Sequence, residues 1–184
     1  MEKKEQIILK AIHLLVTNGE HSTPMSLIAK EANTGMGTIY NYFPSKEDLI
    51  NECYSYLRQK QQLFIQLESN DAGAKFLIQS YCRSAIAYML SNPTEYLFLK
   101  QFYFSPILRE DVRRKDQEFF SPIIKVVEQG QKEGYIKNIP TIELFYFVLG
   151  GVRSFISYTL LTKIAVSDDM IERQVALVWD TLKG

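Results

Sequence analysis

The chain has 184 residues, and its 21 Lys and Arg are balanced by 21 Asp and Glu, so the formal net charge is zero. Hydrophobic residues make up 46% and charged residues 23%, which excludes an intrinsically disordered chain and is enough to build a substantial core. With Cys53 and Cys82 as the only cysteines, a disulfide scaffold and a cysteine zinc site are excluded, and a reducing compartment is expected.

The first residues lack a clean positive region, and Lys10 and His13 interrupt the apolar stretch that follows, so no signal peptide is expected. Leu144 to Thr162 is long enough to span a bilayer, but Arg153 sits at its midpoint. A central arginine costs about 2.5 to 3.5 kcal/mol on insertion, so a helix buried in protein is expected here and no membrane span.

In chain order the pattern is helical throughout, without repeats or low-complexity segments. Ile8, Ala11, Ile12 and Leu15 form an apolar stripe that ends near Asn18-Gly19. Thr23-Pro24 reads as an N-cap followed by a proline in the first helical position. A short helix with Leu27, Ile28 and Ala32 ends at Asn33-Thr34-Gly35, and a second runs from Met36 to Phe43, stopped by Pro44. Ser45-Lys46-Glu47-Asp48 resembles a capping box. It opens a long helix with Ile50, Cys53, Tyr54, Leu57, Gln61 and Phe64 along one face.

Further helices are expected from Ala72 to Leu90 and from Thr94 to about Phe104, separated by Ser91-Asn92-Pro93. A charged stretch, Arg109 to Glu118, follows, and Pro122 falls early in a segment that continues to Gln131. Pro140 opens an apolar helix to about Lys163. Ser167-Asp168-Asp169 starts the last one, whose apolar face is Ile171, Val175, Val178 and Leu182. No alternating strand pattern appears, and the expected fold class is all-α.

The two short helices between Thr23 and Leu49 carry the chemical information. Ile39 and Phe43, four residues apart, are placed to pack inward, which leaves Thr38, Asn41 and Tyr42 on the other side. Hydroxyls and amides can read base edges, asparagine can pair bidentately with adenine, and glycine permits close approach. The segments Thr23 to Ala32 and Gly37-Thr38-Ile39-Tyr40-Asn41-Tyr42-Phe43-Pro44-Ser45-Lys46-Glu47-Asp48-Leu49 resemble the helix-turn-helix of the TetR family of bacterial transcriptional regulators. Where that family usually has Gly-Val-Ser, this chain has Asn33-Thr34-Gly35, so the serine cap of the reading helix is lost. Asparagine tolerates the left-handed conformation, so the turn is expected to survive.

The resemblance implies a three-helix DNA-binding domain over 1–48 and a larger helical effector-binding and dimerisation domain over 49–184. It assigns DNA contact to Thr23, Ser26, Gly35, Met36, Gly37, Thr38, Tyr40, Asn41, Tyr42 and Lys46, and leaves Phe43 to the core. Tyr40 and Lys46 would meet phosphates, and Thr23 and Ser26 would cap or flank the supporting helix. A cytoplasmic repressor is implied, binding a palindromic double-stranded operator as a homodimer.

For a small hydrophobic or aromatic effector the candidates are Phe64, Tyr81, Tyr88, Phe98, Phe102, Phe119 and Arg153; a filled aromatic core is the alternative. For the dimer interface they are Gly150, Gly151, Phe155, Val175, Val178 and Trp179.

An all-α enzyme is disfavoured. The two histidines, His13 and His21, lie near the N-terminus, and no metal-ligand spacing, nucleophile elbow or phosphate loop is present, so neither cofactor nor metal is expected. A degenerate family member acting as a protein-interaction module is the third reading. Residues 1–50 hold five lysines, six acids and no arginine. DNA would then be held mainly by neutral donors and a few lysines, with a shallow salt dependence.

Overall fold

The computed structural model describes residues 2–65 and 73–184. Among these, nine α-helices follow one another: α1 (Lys3–Asn18), α2 (Met25–Glu31), α3 (Met36–Tyr42), α4 (Lys46–Phe64), α5 (Ala74–Ser91), α6 (Pro93–Phe102), α7 (Glu110–Lys132), α8 (Thr141–Thr162) and α9 (Asp168–Leu182). The expected start of α5 at Ala72 lies outside the described residues. The all-α expectation holds; the extended pairing seen is an isolated bridge between Ile136 and Lys183.

Two compact units are formed, residues up to Lys60 with 92–116, and 61–91 with 117–184. In the first, the stripe read from α1 is buried together with Ile28, Ile39, Phe43, Leu49, Ile50, Cys53, Tyr54 and Leu57. Phe98 and Phe102 of α6 complete this core, their rings 4.7 Å apart. Burying a side chain such as Ile28, Ile39 or Phe43 contributes about 1.5 to 3 kcal/mol, which is what holds helices as short as α2 and α3. Polar links join α4 to the chain around α7. Asn51 Nδ2 donates to Ile107 O at 2.9 Å and its Oδ1 accepts from Arg109 N at 2.9 Å, while Arg109 pairs with Asp48 at 2.6 Å. Near Asp116, the Tyr54 hydroxyl donates to Oδ1 at 2.9 Å and the Arg58 guanidinium pairs with it at 2.5 Å.

In the second unit α5 packs on α9 and α8, and α8 on α9. The facing residues include Leu77, Ile78 and Ile86 of α5, Leu144, Val152 and Ile156 of α8, and Val175, Val178 and Leu182 of α9. Gly130 has a packing reason: a Cβ there would lie 2.7 Å from the Ile136 side chain, which plugs the unit from the loop before α8. α7 corrects the expected separation of Arg109–Glu118 from the Pro122 segment. It is one helix with Pro122 inside it, because Phe120, Ile123 and Val127 bury on either side of the missing amide.

Candidate nucleic-acid interface

α2 ends in a Schellman arrangement. Asn33 adopts φ 52°, its N–H donates to Lys30 O at 3.0 Å, and Thr34 N–H donates to Ala29 O at 2.9 Å. Asparagine thus fills the place usually given to glycine, and the turn survives as expected. Gly35 is the N-cap of α3 and offers no side-chain hydrogen bond, so the serine cap is lost.

α3 has one buried position, Ile39, and Phe43 directly after the helix is also fully buried. Gly35, Gly37, Thr38 and Asn41 are exposed, as are Met36 at 40%, Tyr40 at 46% and Tyr42 at 44%. All the α3 residues expected to face DNA are therefore accessible to solvent. Aromatic core packing is excluded for Tyr40 and Tyr42 by this exposure. Ser26 is exposed on α2.

Thr23 is a correction. It is fully buried and is not the cap of α2, whose N-cap is Pro24. Its hydroxyl lies 2.7 Å from Gly19 O and 3.2 Å from Leu14 O, tying down the end of α1 instead of meeting a phosphate. Lys46 is half-buried and donates to Glu20 O across the α1–α2 loop, which no sequence pattern signalled. An ammonium has three donors, so two remain for an anion. The capping box is formed, with Asp48 N–H donating to Ser45 Oγ at 3.0 Å. Lys4 pairs with Glu52 at 2.7 Å, whereas Lys3 and Lys10 are exposed.

The expected effector residues are divided between the two units. Phe98 and Phe102 belong to the first unit's core, where α6 packs on α1, and are corrected to structural residues. Phe64 is not an inward position of α4: it is 61% exposed, with its ring 5.3 Å from that of Tyr88. Tyr81, Phe119 and Arg153 are half-buried in the second unit, and Phe119 meets Phe120 edge-on at 4.9 Å.

Val175 and Val178 are a further correction. They are 1% and 6% exposed, buried within their own unit, and cannot face a second copy. Phe155 and Trp179 are half-buried, the latter under the Lys75 ammonium 5.7 Å from the ring centroid. Gly150 and Gly151 are exposed, with nothing within 4 Å of a Cβ added at either. Other exposed apolar side chains were only partly anticipated: on α8 Phe147 is 71% exposed, Tyr158 55% and Leu161 83%, and on α9 Leu177 is 57% exposed. The sign available in sequence was that α8 is apolar on all sides, more than one packed face requires. By length and composition α8 could cross a membrane, but its buried residues pack on α5 and α9.

Residues 7–53 match the sequence profile of bacterial regulatory proteins of the tetR family, and residues 78–183 that of the tetracyclin repressor-like C-terminal domain. The chain belongs to the TetR family of transcriptional regulators. It is 28% identical to the HTH-type transcriptional regulator YhgD of Bacillus subtilis, over 81% of this chain and 79% of that one. To an Escherichia coli K12 protein named "Probable acrEF/envCD operon repressor" it is 25% identical, over 100% of this chain and 86% of that one. A solved TetR family regulator from Marinobacter aquaeolei VT8 has the same fold, with a TM-score of 0.88 at 19% identity, over 98% of this chain and 95% of that one. This member of the family is thus a transcriptional regulator and not an enzyme. It keeps the family's helix-turn-helix while departing from it at Asn33-Thr34-Gly35.

Proposed function

We propose that this regulator is a ligand-responsive repressor that binds a palindromic operator as a homodimer in the cytoplasm. The observation that carries the DNA-binding part is the division of α3: Ile39 with Phe43 fixes the helix in the core, and the side chains suited to base edges are exposed together. Residues 1–48 then carry the reading head, within the unit that 49–60 and 92–116 complete, and the effector and dimer surfaces lie in the unit of 61–91 with 117–184. Ser26, Gly35, Met36, Gly37, Thr38, Tyr40, Asn41, Tyr42 and Lys46 make up the contact surface. The repressor sense is supported by the printed name of the Escherichia coli relative.

Two reading helices must lie about 34 to 36 Å apart, or a multiple, to meet successive major grooves, which gives the dimer its purpose. Gly150 and Gly151 with Phe147, Tyr158, Leu161 and Leu177 are the surface for it, since mid-helix glycines with no neighbour of their own leave room for a second backbone. A small hydrophobic or aromatic effector among Tyr81, Tyr88, Phe119 and Arg153 would favour one spacing of the heads over the other and so release the operator. Retention of fragments from a sheared genomic library tests the reading. Enrichment of inverted-repeat sites is expected; no retained fragment even at low salt refutes it.

A further inference from the structure

α3 carries no charge at all: it reads Met-Gly-Thr-Ile-Tyr-Asn-Tyr. The five lysines of residues 1–50 lie on other elements, Lys3, Lys4 and Lys10 on α1, Lys30 on α2 and Lys46 on α4, and this stretch contains no arginine. Its six acids are likewise all off α3. The usual readers of the two strong G·C signals are therefore missing from the exposed face. Guanine O6 and N7 are read by arginine or lysine, and the cytosine amino group by a carboxylate.

What α3 does expose is chemically matched to the other base pair. Asn41 can pair with adenine N6 and N7, and the methyl-bearing Met36 and Thr38 can meet the thymine methyl. Met36 is 40% exposed at the beginning of α3, where reading helices contact bases. Gly35 and Gly37 flank it, and a Cβ added at either would meet nothing within 4 Å. Neither glycine has a positive φ, and Gly37 inside the helix lowers helix propensity, so the chain's own packing gives no reason for it. Bare backbone on both sides leaves the Met36 thioether as a projecting apolar contact with room for a base edge beside it.

We propose that this uncharged reading helix specifies A·T pairs in each half-site, with Met36 reading a thymine methyl and Asn41 reading an adenine. The inference rests on the DNA-binding reading above and adds to it the class of base recognised.

The test begins with duplexes that the wild-type protein selects from a random-sequence pool. Positions whose preference changes in Met36→Ala or Asn41→Ala mark the base pairs under each side chain, and A·T is expected at both. Replacing thymine by deoxyuracil at the Met36 position removes only a methyl and should weaken wild-type binding about fourfold. Replacing adenine by 7-deazaadenine at the Asn41 position should weaken it about tenfold. Met36→Ala should be indifferent to the first change and Asn41→Ala to the second, while Met36→Leu keeps the methyl preference. Selected G·C pairs at these positions, or wild-type binding unchanged by both base modifications, overturns the inference while leaving the regulator reading intact. Failure to retain any duplex overturns the DNA-binding reading itself. The modified-base arms use the wild-type protein, so they decide the matter even where a variant folds poorly.

Discussion

Asp116→Ala is expected to be among the most damaging single changes in the reading unit, because it breaks a charge pair removed from water. The side chains of Arg58 and Asp116 are only 12% and 11% exposed. Asp116 Oδ1 accepts from Arg58 Nε at 2.5 Å and from the Tyr54 hydroxyl at 2.9 Å, and Arg58 also donates to that hydroxyl at 3.1 Å. Removing the carboxylate deletes both of these bonds to Oδ1, one of them a charge-assisted contact with the guanidinium. Losing one partner of such a pair costs about 3 to 5 kcal/mol. Against a typical total of about 5 to 15 kcal/mol, that is a large share.

Replacing the whole group with apolar side chains of similar volume, as in Tyr54→Phe with Arg58→Met and Asp116→Leu, removes both buried charges together and should cost less than about 1.5 kcal/mol. Urea unfolding followed by far-ultraviolet circular dichroism measures both. A loss under about 1 kcal/mol for Asp116→Ala, or a triple variant as unstable as the single one, would refute the claim that this network is energetically buried.

Other outcomes follow from the same geometry. Lys46→Ala should weaken binding to every duplex alike and make the salt slope shallower by about 0.9 for each phosphate that is no longer neutralised, read from a salt titration. An unchanged slope would assign Lys46 wholly to its bond with Glu20 O. Leu161→Glu, at an 83% exposed position, should leave the monomer folded and halve the mass seen by light scattering, whereas Val178→Glu should unfold it. At alkaline pH, stability should fall from about the ordinary tyrosine range upward, followed by denaturant titration at each pH. Burial pushes the Tyr54 hydroxyl up to about 12, the Arg58 guanidinium opposing and Asp116 adding to the rise. Tyr56 is also raised to about 12, by desolvation and by its hydrogen bond to Glu5, and burial raises Cys82 to about 12. Each group holds its proton more tightly folded than unfolded. The stabilisation is complete below the unfolded pKa values, 9.0 for the thiol and 10.0 for the phenols, and is lost as pH climbs towards 12. Stability that stays level from pH 9 to 12 contradicts this.

The reading helix was legible in sequence because its determinants are local. Ile39 and Phe43 four residues apart set its orientation, Pro44 ends it, and an asparagine able to adopt positive φ makes the turn before it. Side chains pointing away from a locally anchored helix are exposed whatever the rest of the chain does, so the residues on α3 came out together. The same locality made the sequence silent about the bond from Lys46 to Glu20 O, 26 residues away. It also misread Thr23, for which a cap on α2 and a tie back to the end of α1 look identical until α1 is in place.

Farther along the chain, apolar spacing says that a residue is buried but not in which core. Phe98 and Phe102 have the periodicity of pocket or core residues alike, and only the packing of α6 on α1 sends them to the reading unit. Val175 and Val178 carry the same ambiguity between the inside of a unit and an interface between copies.

Local sequence is thus enough to specify the helical fold class, the family and the face of α3, because helix periodicity, turn chemistry and a short motif are encoded within a few residues of one another. Tertiary packing settles which apolar positions are internal, which surface of α8 is left uncovered, and how α4 is tied through Asn51, Tyr54 and Arg58 to the chain around Asp116. Burial and ion pairing depend on residues far apart in sequence, so no local pattern could have assigned them.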